Sequence, residues 1–226
     1  MSDSSFFDLD EDKSTLIAED IKLENLRFLE TVMLSYSKDT EHIFKRFPNL
    51  QVLGFDTNES WDYSTKKFWF PKLDCLTELE ELTVRFAYTR GFSPATNRPW
   101  NFNFPLRLKK LRLYDFRLTS DSLSTIARLP NLEVLSLYRT IIQGGEWNMG
   151  EEDTFENLKC LTLNKVTLAK WERCCKLEEI PPSFKAIGSL KIIKLVECPQ
   201  LEDSVMKIKE YANDMRGGDE LQIRPE

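Results

Sequence analysis

Apolar residues along this chain recur in a six-residue figure, L-x-x-L-x-L, in which other aliphatic residues or Phe replace some leucines. It occurs at Leu29-x-x-Val32-x-Leu34, Leu50-x-x-Leu53-x-Phe55, Leu79-x-x-Leu82-x-Val84 and Leu108-x-x-Leu111-x-Leu113. It continues at Leu132-x-x-Leu135-x-Leu137, Leu158-x-x-Leu161-x-Leu163 and Leu190-x-x-Ile193-x-Leu195. The alternating L-x-L core predicts a short strand with every second side chain turned inward. One such strand cannot bury its apolar face alone, so the copies are expected to stack side by side around a shared core.

The first leucines of successive copies lie 21, 29, 29, 24, 26 and 32 residues apart. Leucine-rich repeats have periods of about 20–29 residues, and only the last step falls outside that range. Three copies are preceded by a common turn, Phe47-Pro48-Asn49-Leu50, Leu129-Pro130-Asn131-Leu132 and Phe155-Glu156-Asn157-Leu158. Proline there cannot extend a helix and delivers the chain into the next strand. The expected fold is an α/β solenoid: a leucine-rich-repeat horseshoe with a parallel β-sheet on its concave face. Short helices or irregular loops would form the convex side, and a helix would cap the C-terminal end.

The connections support this layout. Thr119-Ser120-Asp121 is a helix-start signal, followed by Leu123, Ile126 and Ala127 at helical spacing. The stretches 56–77 and 87–104 are rich in aromatics, including Trp61, Tyr63, Phe68, Trp69, Phe70, Tyr88, Phe92, Trp100 and Phe102. Packing over the flank of the solenoid is the favoured reading of these rings; loops that grip a partner are the alternative. Residues 1–20 are acid-rich and are expected to be disordered, residues 21–200 to hold about seven repeats, and residues 201–226 to form a cap helix and tail. Val205, Ile208, Ala212 and Met215 make one apolar stripe on that helix, and Gly217-Gly218 would end it. No comparable cap is visible at the N-terminal end, so the edge of the first strand is expected to be bare.

Composition narrows the function classes. The 226 residues carry a net charge of −6, which argues against a general nucleic-acid binder. No apolar run approaches the roughly 18 residues of a membrane span, and the first residues lack the features of a secretory signal. The default expectation is therefore a cytoplasmic setting. The five cysteines are irregularly spaced and read as free thiols; a metal site is not expected. The single histidine, His42, has no nucleophile-and-orienter context. Asn58-Glu59-Ser60 is a chance glycosylation sequon in such a setting. Gly217-Gly218-Asp219-Glu220-Leu221 resembles a diguanylate cyclase signature but sits too near the end of the sequence to work as one. No G-x-x-x-x-G-K-[ST] loop is present, so a cofactor or nucleotide is not expected either.

What remains is a binding surface. In this repeat the x residues and the two after the figure face the concave side. In the middle repeats these include Glu81, Thr83, Asp115, Ser136 and Thr162. The candidate protein-binding residues are Arg85, Phe86, Lys110, Arg112, Tyr114, Tyr138, Arg139, Asn164 and Lys165. Basic residues outnumber acidic ones there, and Arg and Tyr are favoured at interface hot spots. A locally basic, aromatic-studded inner face would steer an acidic partner.

Three stretches give the chain a closer resemblance: SYSKDTEHIFKRFPNLQVLGF (35–55), ATNRPWNFNFP (95–105) and LTSDSLSTIARLPNLEVLSLY (118–138). Residues 145–163, KLEEIPPSF (176–184) and 198–223 extend it. In these the sequence resembles the C-terminal leucine-rich-repeat region of plant coiled-coil/nucleotide-binding/leucine-rich-repeat immune receptors, in the late blight resistance protein group. The resemblance implies plant innate immunity: detecting pathogen effectors, directly or through a guarded host protein, and triggering a hypersensitive response. It also implies that the repeats hold a nucleotide-binding module inactive. The implied partners are that module, an effector or a guarded host protein, in the cytoplasm with peripheral membrane association as an option. ATP or ADP binding is implied only for full-length members.

The chain departs from the group where Trp171-Glu172-Arg173-Cys174-Cys175 runs into Lys176-Leu177. Another strand figure is expected there, so a repeat is read as lost near 171–176 and the solenoid is expected to be irregular between Leu163 and Leu190. Two other readings compete: a leucine-rich-repeat substrate adaptor of an F-box ubiquitin ligase, and a truncated, non-signalling protein. The adaptor would need about 40 residues of F-box helices ahead of the repeats, and only about 20 precede them.

Overall fold

The computed structural model describes residues 7–8, 22–34, 43–58, 61–62, 67–87, 100–143, 147, 150, 153–170, 173–176, 179–216 and 221–225. His42, Tyr63, Tyr88, Phe92, Glu59 of the sequon and Gly217-Gly218 lie outside them.

The chain begins with β1 (Phe7–Asp8), β2 (Phe28–Leu34), β3 (Val52–Asn58), β4 (Trp61–Asp62), β5 (Lys67–Phe68), β6 (Glu81–Ala87) and β7 (Lys110–Tyr114). There follow β8 (Arg117–Leu118), α1 (Ser120–Ala127), β9 (Val134–Tyr138), β10 (Ile141–Gln143), β11 (Cys160–Asn164), β12 (Thr167–Lys170) and β13 (Arg173–Lys176). The last elements are β14 (Ile192–Val196), α2 (Glu202–Arg216) and β15 (Gln222–Pro225). Nine strands form one parallel sheet in the order β1-β2-β3-β6-β7-β9-β11-β14-β15. Each copy of the apolar figure supplies one strand, next to the strand of the following copy.

The register shows why the figure is needed. Leu53, Leu82, Leu111, Leu135, Leu161 and Ile193 stand opposite one another across the sheet. Phe55, Val84, Leu113, Leu137, Leu163 and Leu195 form a second column. The first leucines of six copies, Leu50 to Leu190, form a third, and all are buried. Burying each leucine contributes about 1.5–3 kcal/mol, so the stack is held mainly by these three columns. Backbone pairing locks the step. The carbonyls of Arg27, Gln51, Glu80, Lys109, Glu133 and Lys159 each accept two N–H bonds from the start of the next strand.

The recurrent Asn before the figure has a specific task. The side-chain amides of Asn49, Asn131 and Asn157 donate to the carbonyls of Glu24, Leu106 and Pro130, each one repeat earlier. After the strand, Asp115, Arg139, Lys165 and Glu197 adopt left-handed backbone, with φ of 65°, 49°, 52° and 51°. That reversal turns the following residue, Phe116, Thr140, Val166 or Cys198, into the core. Left-handed backbone is unusual for residues other than glycine. Here the N–H groups of Asp115, Arg139 and Lys165 hold it by bonding the strand-end carbonyls of the next repeat.

The connections pack as the flank of the solenoid. Helix α1 starts at Thr119, whose hydroxyl accepts from the Ser122 N–H at 3.3 Å, and buries Leu123, Ile126 and Ala127. Phe55, Phe70, Trp100, Phe102, Phe104 and Phe116 pack ring on ring, with centroids 4.9–6.1 Å apart. The aromatic stretches are therefore core at Phe70, Trp100, Phe102 and Phe104.

The structure departs from expectation along the connections, across the long step and at both ends. A second, four-stranded sheet, β13-β12-β10-β8, lies on the outgoing connections in place of irregular loops. The main sheet runs without a gap across the long step, because β11 pairs with β14 in full register. The extra residues there fold into the antiparallel hairpin of β12 and β13, with residues 171–172 outside the described part. The ends also differ from expectation. Phe7 and Asp8, inside the acidic N-terminal segment, pair with β2 and cover its edge, and β15 in the tail extends the sheet beyond β14. The cap helix α2 buries Val205, Ile208 and Ala212, but Met215 is exposed, one turn past the last residue it packs against.

Candidate protein-binding face

The main sheet has one face turned to the leucine columns and one open face, the concave side of such a solenoid. Register arranges the open side chains into rows. The row at the strand ends reads Asp56, Arg85, Tyr114, Tyr138, Asn164 and Val196. The row two residues earlier reads Gly54, Thr83, Arg112, Ser136, Thr162, Lys194 and Arg224. The row at the strand starts reads Val52, Glu81, Lys110, Val134, Cys160, Ile192 and Gln222.

Eight of the nine candidates stand on this face or at its edge: Arg85, Lys110, Arg112, Tyr114, Tyr138, Arg139, Asn164 and Lys165. Phe86 does not. It is turned into the core, edge-on to Trp100 at 5.3 Å and tilted against Phe116 at 5.8 Å. The reason is local: β6 runs on to Ala87 without the left-handed reversal of β7, so alternation carries residue 86 inward. Ser136 and Thr162 face the open side yet are buried beneath their neighbours.

Nor is the face simply basic. Arg85 lies 3.8 Å from Asp56, Lys165 pairs with Glu197 at 3.0 Å, and Arg139 grips Asp115 with two bonds of 2.7 Å. Glu81 faces two cations, Lys110 at 2.5 Å and Arg112 at 3.5 Å. The hydrogen bond from Lys110 outweighs the burial that opposes it, and with help from Arg112 it holds the Glu81 carboxyl below its ordinary range. The left-handed residues thus form two ion pairs side by side, Asp115 with Arg139 and Lys165 with Glu197. The acidic partners Asp56 and Glu197 belong to flanking repeats and become visible only when all the repeats are aligned.

At the middle of the face two rings stack. Tyr114 and Tyr138 lie parallel at 4.3 Å, with an interplanar angle of 4°. The guanidinium groups of Arg85 and Arg139 approach the Tyr114 ring at 5.4 and 6.0 Å, within cation–π range. Burial, aided by the neighbouring Tyr138, pushes the Tyr114 hydroxyl above its usual value, so it remains a neutral phenol. Such a rigid, amphipathic patch can bury aromatic surface against a partner at little conformational cost. Lys194, which the sequence reading missed, continues the Arg112 row beyond the middle repeats. Among the described residues no three His, Cys, Asp or Glu side chains gather closely enough to hold a metal ion. Likewise, no helix among them is long and apolar enough to cross a membrane.

A parallel ladder built from one apolar figure per turn, with recurrent Asn ties between turns, defines the class: a leucine-rich-repeat protein. Over most of its length the chain is similar to late blight resistance proteins of Solanum demissum. It is 32% identical over 206 residues to one putative late blight resistance protein homolog of that plant, covering 83% of this chain and 25% of that protein. It is 31% identical over 214 residues to late blight resistance protein R1-A, covering 86% and 15%. For a second putative homolog the identity is 30% over 219 residues, covering 88% and 16%. The chain is a leucine-rich-repeat domain similar to a part of these plant disease-resistance proteins, and it spans about a sixth to a quarter of their length. No family model matches it. Among solved structures, a leucine-rich-repeat protein of Leptospira interrogans aligns over 84% of this chain and 53% of that one, with 17% identity and a TM-score of 0.37.

Proposed function

We propose that the chain is the recognition and autoinhibition module of a cytoplasmic disease-resistance receptor. In this reading it binds proteins and catalyses nothing. Its open sheet face contacts a nucleotide-binding module and keeps it inactive until a pathogen effector, or a host protein altered by one, competes for the repeats. Release then triggers the hypersensitive response. Nucleotide binding belongs to the module, so the chain needs no cofactor.

The observation that supports this reading best is the open face itself. It presents the stacked pair Tyr114 and Tyr138, half-buried and flanked by arginines, on a rigid sheet. Arg112 and Lys110 share the single carboxylate of Glu81, which leaves positive charge to attract an acidic surface. The test is co-precipitation with a separately expressed nucleotide-binding module from a late blight resistance protein. The double variant Arg112→Glu/Arg139→Glu is expected to lose most of the bound module while keeping the wild-type melting curve. Undiminished co-precipitation by the folded double variant overturns the reading.

A further inference from the structure

The charge pairing divides the open face. Toward β3 and at the strand ends, each cation has a carboxylate on a neighbouring repeat: Asp56 for Arg85, Asp115 for Arg139, Glu197 for Lys165. The middle row is different. Arg112 and Lys110 share Glu81, one carboxylate against two cations. At the other end of that row, Lys194 stands in register with Thr162 and Arg224 and has no acidic partner among the described residues. Between Arg112 and Lys194 the row holds only Ser136 and Thr162, whose relative exposures are 4% and 8%. Beside these lie Val134, Cys160 and Ile192, half-buried and uncharged. Short side chains between long cationic ones make a shallow floor with a positive group at each end.

The dimensions select an occupant. Arg112 and Lys194 are on β7 and β14, three strand spacings apart, or about 14 Å at ~4.8 Å per strand. The floor is two residue rows deep along the strands, about 7 Å. That admits one extended chain and is narrower than the roughly 10–12 Å of a helix with its side chains. An extended chain rises about 3.3 Å per residue, so about 14 Å spans roughly four residues. Alternate side chains of an extended chain share a face, so with both end residues turned to the sheet the one midway between them would rest on Val134, Cys160 and Ile192, and so would be apolar.

We propose that the strip of sheet face between Arg112 and Lys194 is a docking site for an extended segment of a partner protein, lying across the strands. The segment carries two carboxylates four residues apart, one meeting Arg112 and the other Lys194, with an apolar side chain midway between them. This rests on the open face being the partner-binding surface, and it names the segment that surface takes.

The test is selection from a random twelve-residue peptide library displayed on phage, with the intact chain as bait. Binding of the selected peptides is then measured by fluorescence anisotropy. Enriched peptides are expected to share two acidic residues four apart with an apolar residue midway between. Their affinity is expected to fall about tenfold or more for Lys194→Glu and for Thr162→Arg, which fills the floor, but less than about threefold for Lys207→Glu, a charge reversal on the exposed side of helix α2. Lys194→Arg should restore binding. Circular dichroism melting confirms that each variant is folded, and Lys194→Gln replaces any variant that is not. Absence of enrichment, another pattern, or binding that ignores Lys194→Glu while responding to Arg112→Glu overturns the strip but leaves the wider reading standing. Enriched peptides that ignore every open-face variant, Arg112→Glu included, overturn both.

Discussion

Asp153 shows how much one side chain contributes to this stack. Its carboxylate is fully enclosed and accepts from Ser124 Oγ at 2.5 Å, the Gly150 N–H at 2.8 Å and Arg128 Nε at 2.9 Å. It thereby ties α1 to the connection that follows the next strand pair. Burial raises its pKa, but these three donors together outweigh burial and hold it below the ordinary carboxylate value. A carboxyl depressed by folding contributes stability that is present above its unfolded pKa and is lost as pH falls through the folded one. Asp153→Asn is expected to destabilise the chain by about 2–3 kcal/mol at neutral pH, since charged hydrogen bonds are lost. The gap between the two melting curves should be widest near pH 7 and close as pH falls below about 4. A gap that does not depend on pH would show that the charge contributes nothing. The exposed ion pairs of the open face are a different case. Each is worth about 1 kcal/mol or less, so their role lies in deciding which cations remain available to a partner.

At the scale of the element, the strands are made by side-chain alternation and joined by register. Leu135 sits between Leu111 and Leu161 in the same column, and all three are buried completely. Leu135→Asp places an unpaired charge in that column and is expected to abolish cooperative folding, at a cost of more than about 4 kcal/mol. Leu135→Met, which conserves volume, should cost less than about 1.5 kcal/mol. Thermal denaturation of the two variants checks both, and a folded Leu135→Asp would count against the register. The helix α1 and the Asn ties are elements of the same kind: each is written into the local sequence, by Thr119 and by the Phe/Leu-Pro/Glu-Asn-Leu turn. The second sheet is not, because strands of two to four residues carry too little alternation to stand out.

For the whole molecule, the ends of the sheet matter most. Strand β15 pairs with β14 and brings the fully buried Leu221 and half-buried Ile223 against the core. Removing residues 221–226 takes away about 3 kcal/mol of apolar burial. It also bares the edge of β14, a template for association with another chain. The truncated chain is expected to melt about 6–12 °C lower and to scatter light in a concentration-dependent way. An unchanged melting temperature would mean that β15 contributes no closure. The long step between Leu158 and Leu190 belongs to this scale too. The sheet tolerates it because only the returning connection lengthens, so the extra chain becomes the hairpin of β12 and β13 while the ladder stays in register.

The repeat, the seven strands of the apolar figure, the leucine columns, helix α1 and the cap helix are legible in the sequence alone, because each follows from local periodicity or a local capping signal. The sequence also placed most of the open-face residues, since alternation fixes which way a strand residue points. Tertiary structure alone decided what those residues can do. Whether Arg139 is free or gripped by Asp115, and whether Lys194 has a carboxylate, depends on which strands lie side by side and where left-handed turns bring charges together. Phe86 makes the same point from the other side. Its position after an L-x-L core placed it on the open face, but β6 continues two residues further than β7, and that difference in strand length sends it into the core.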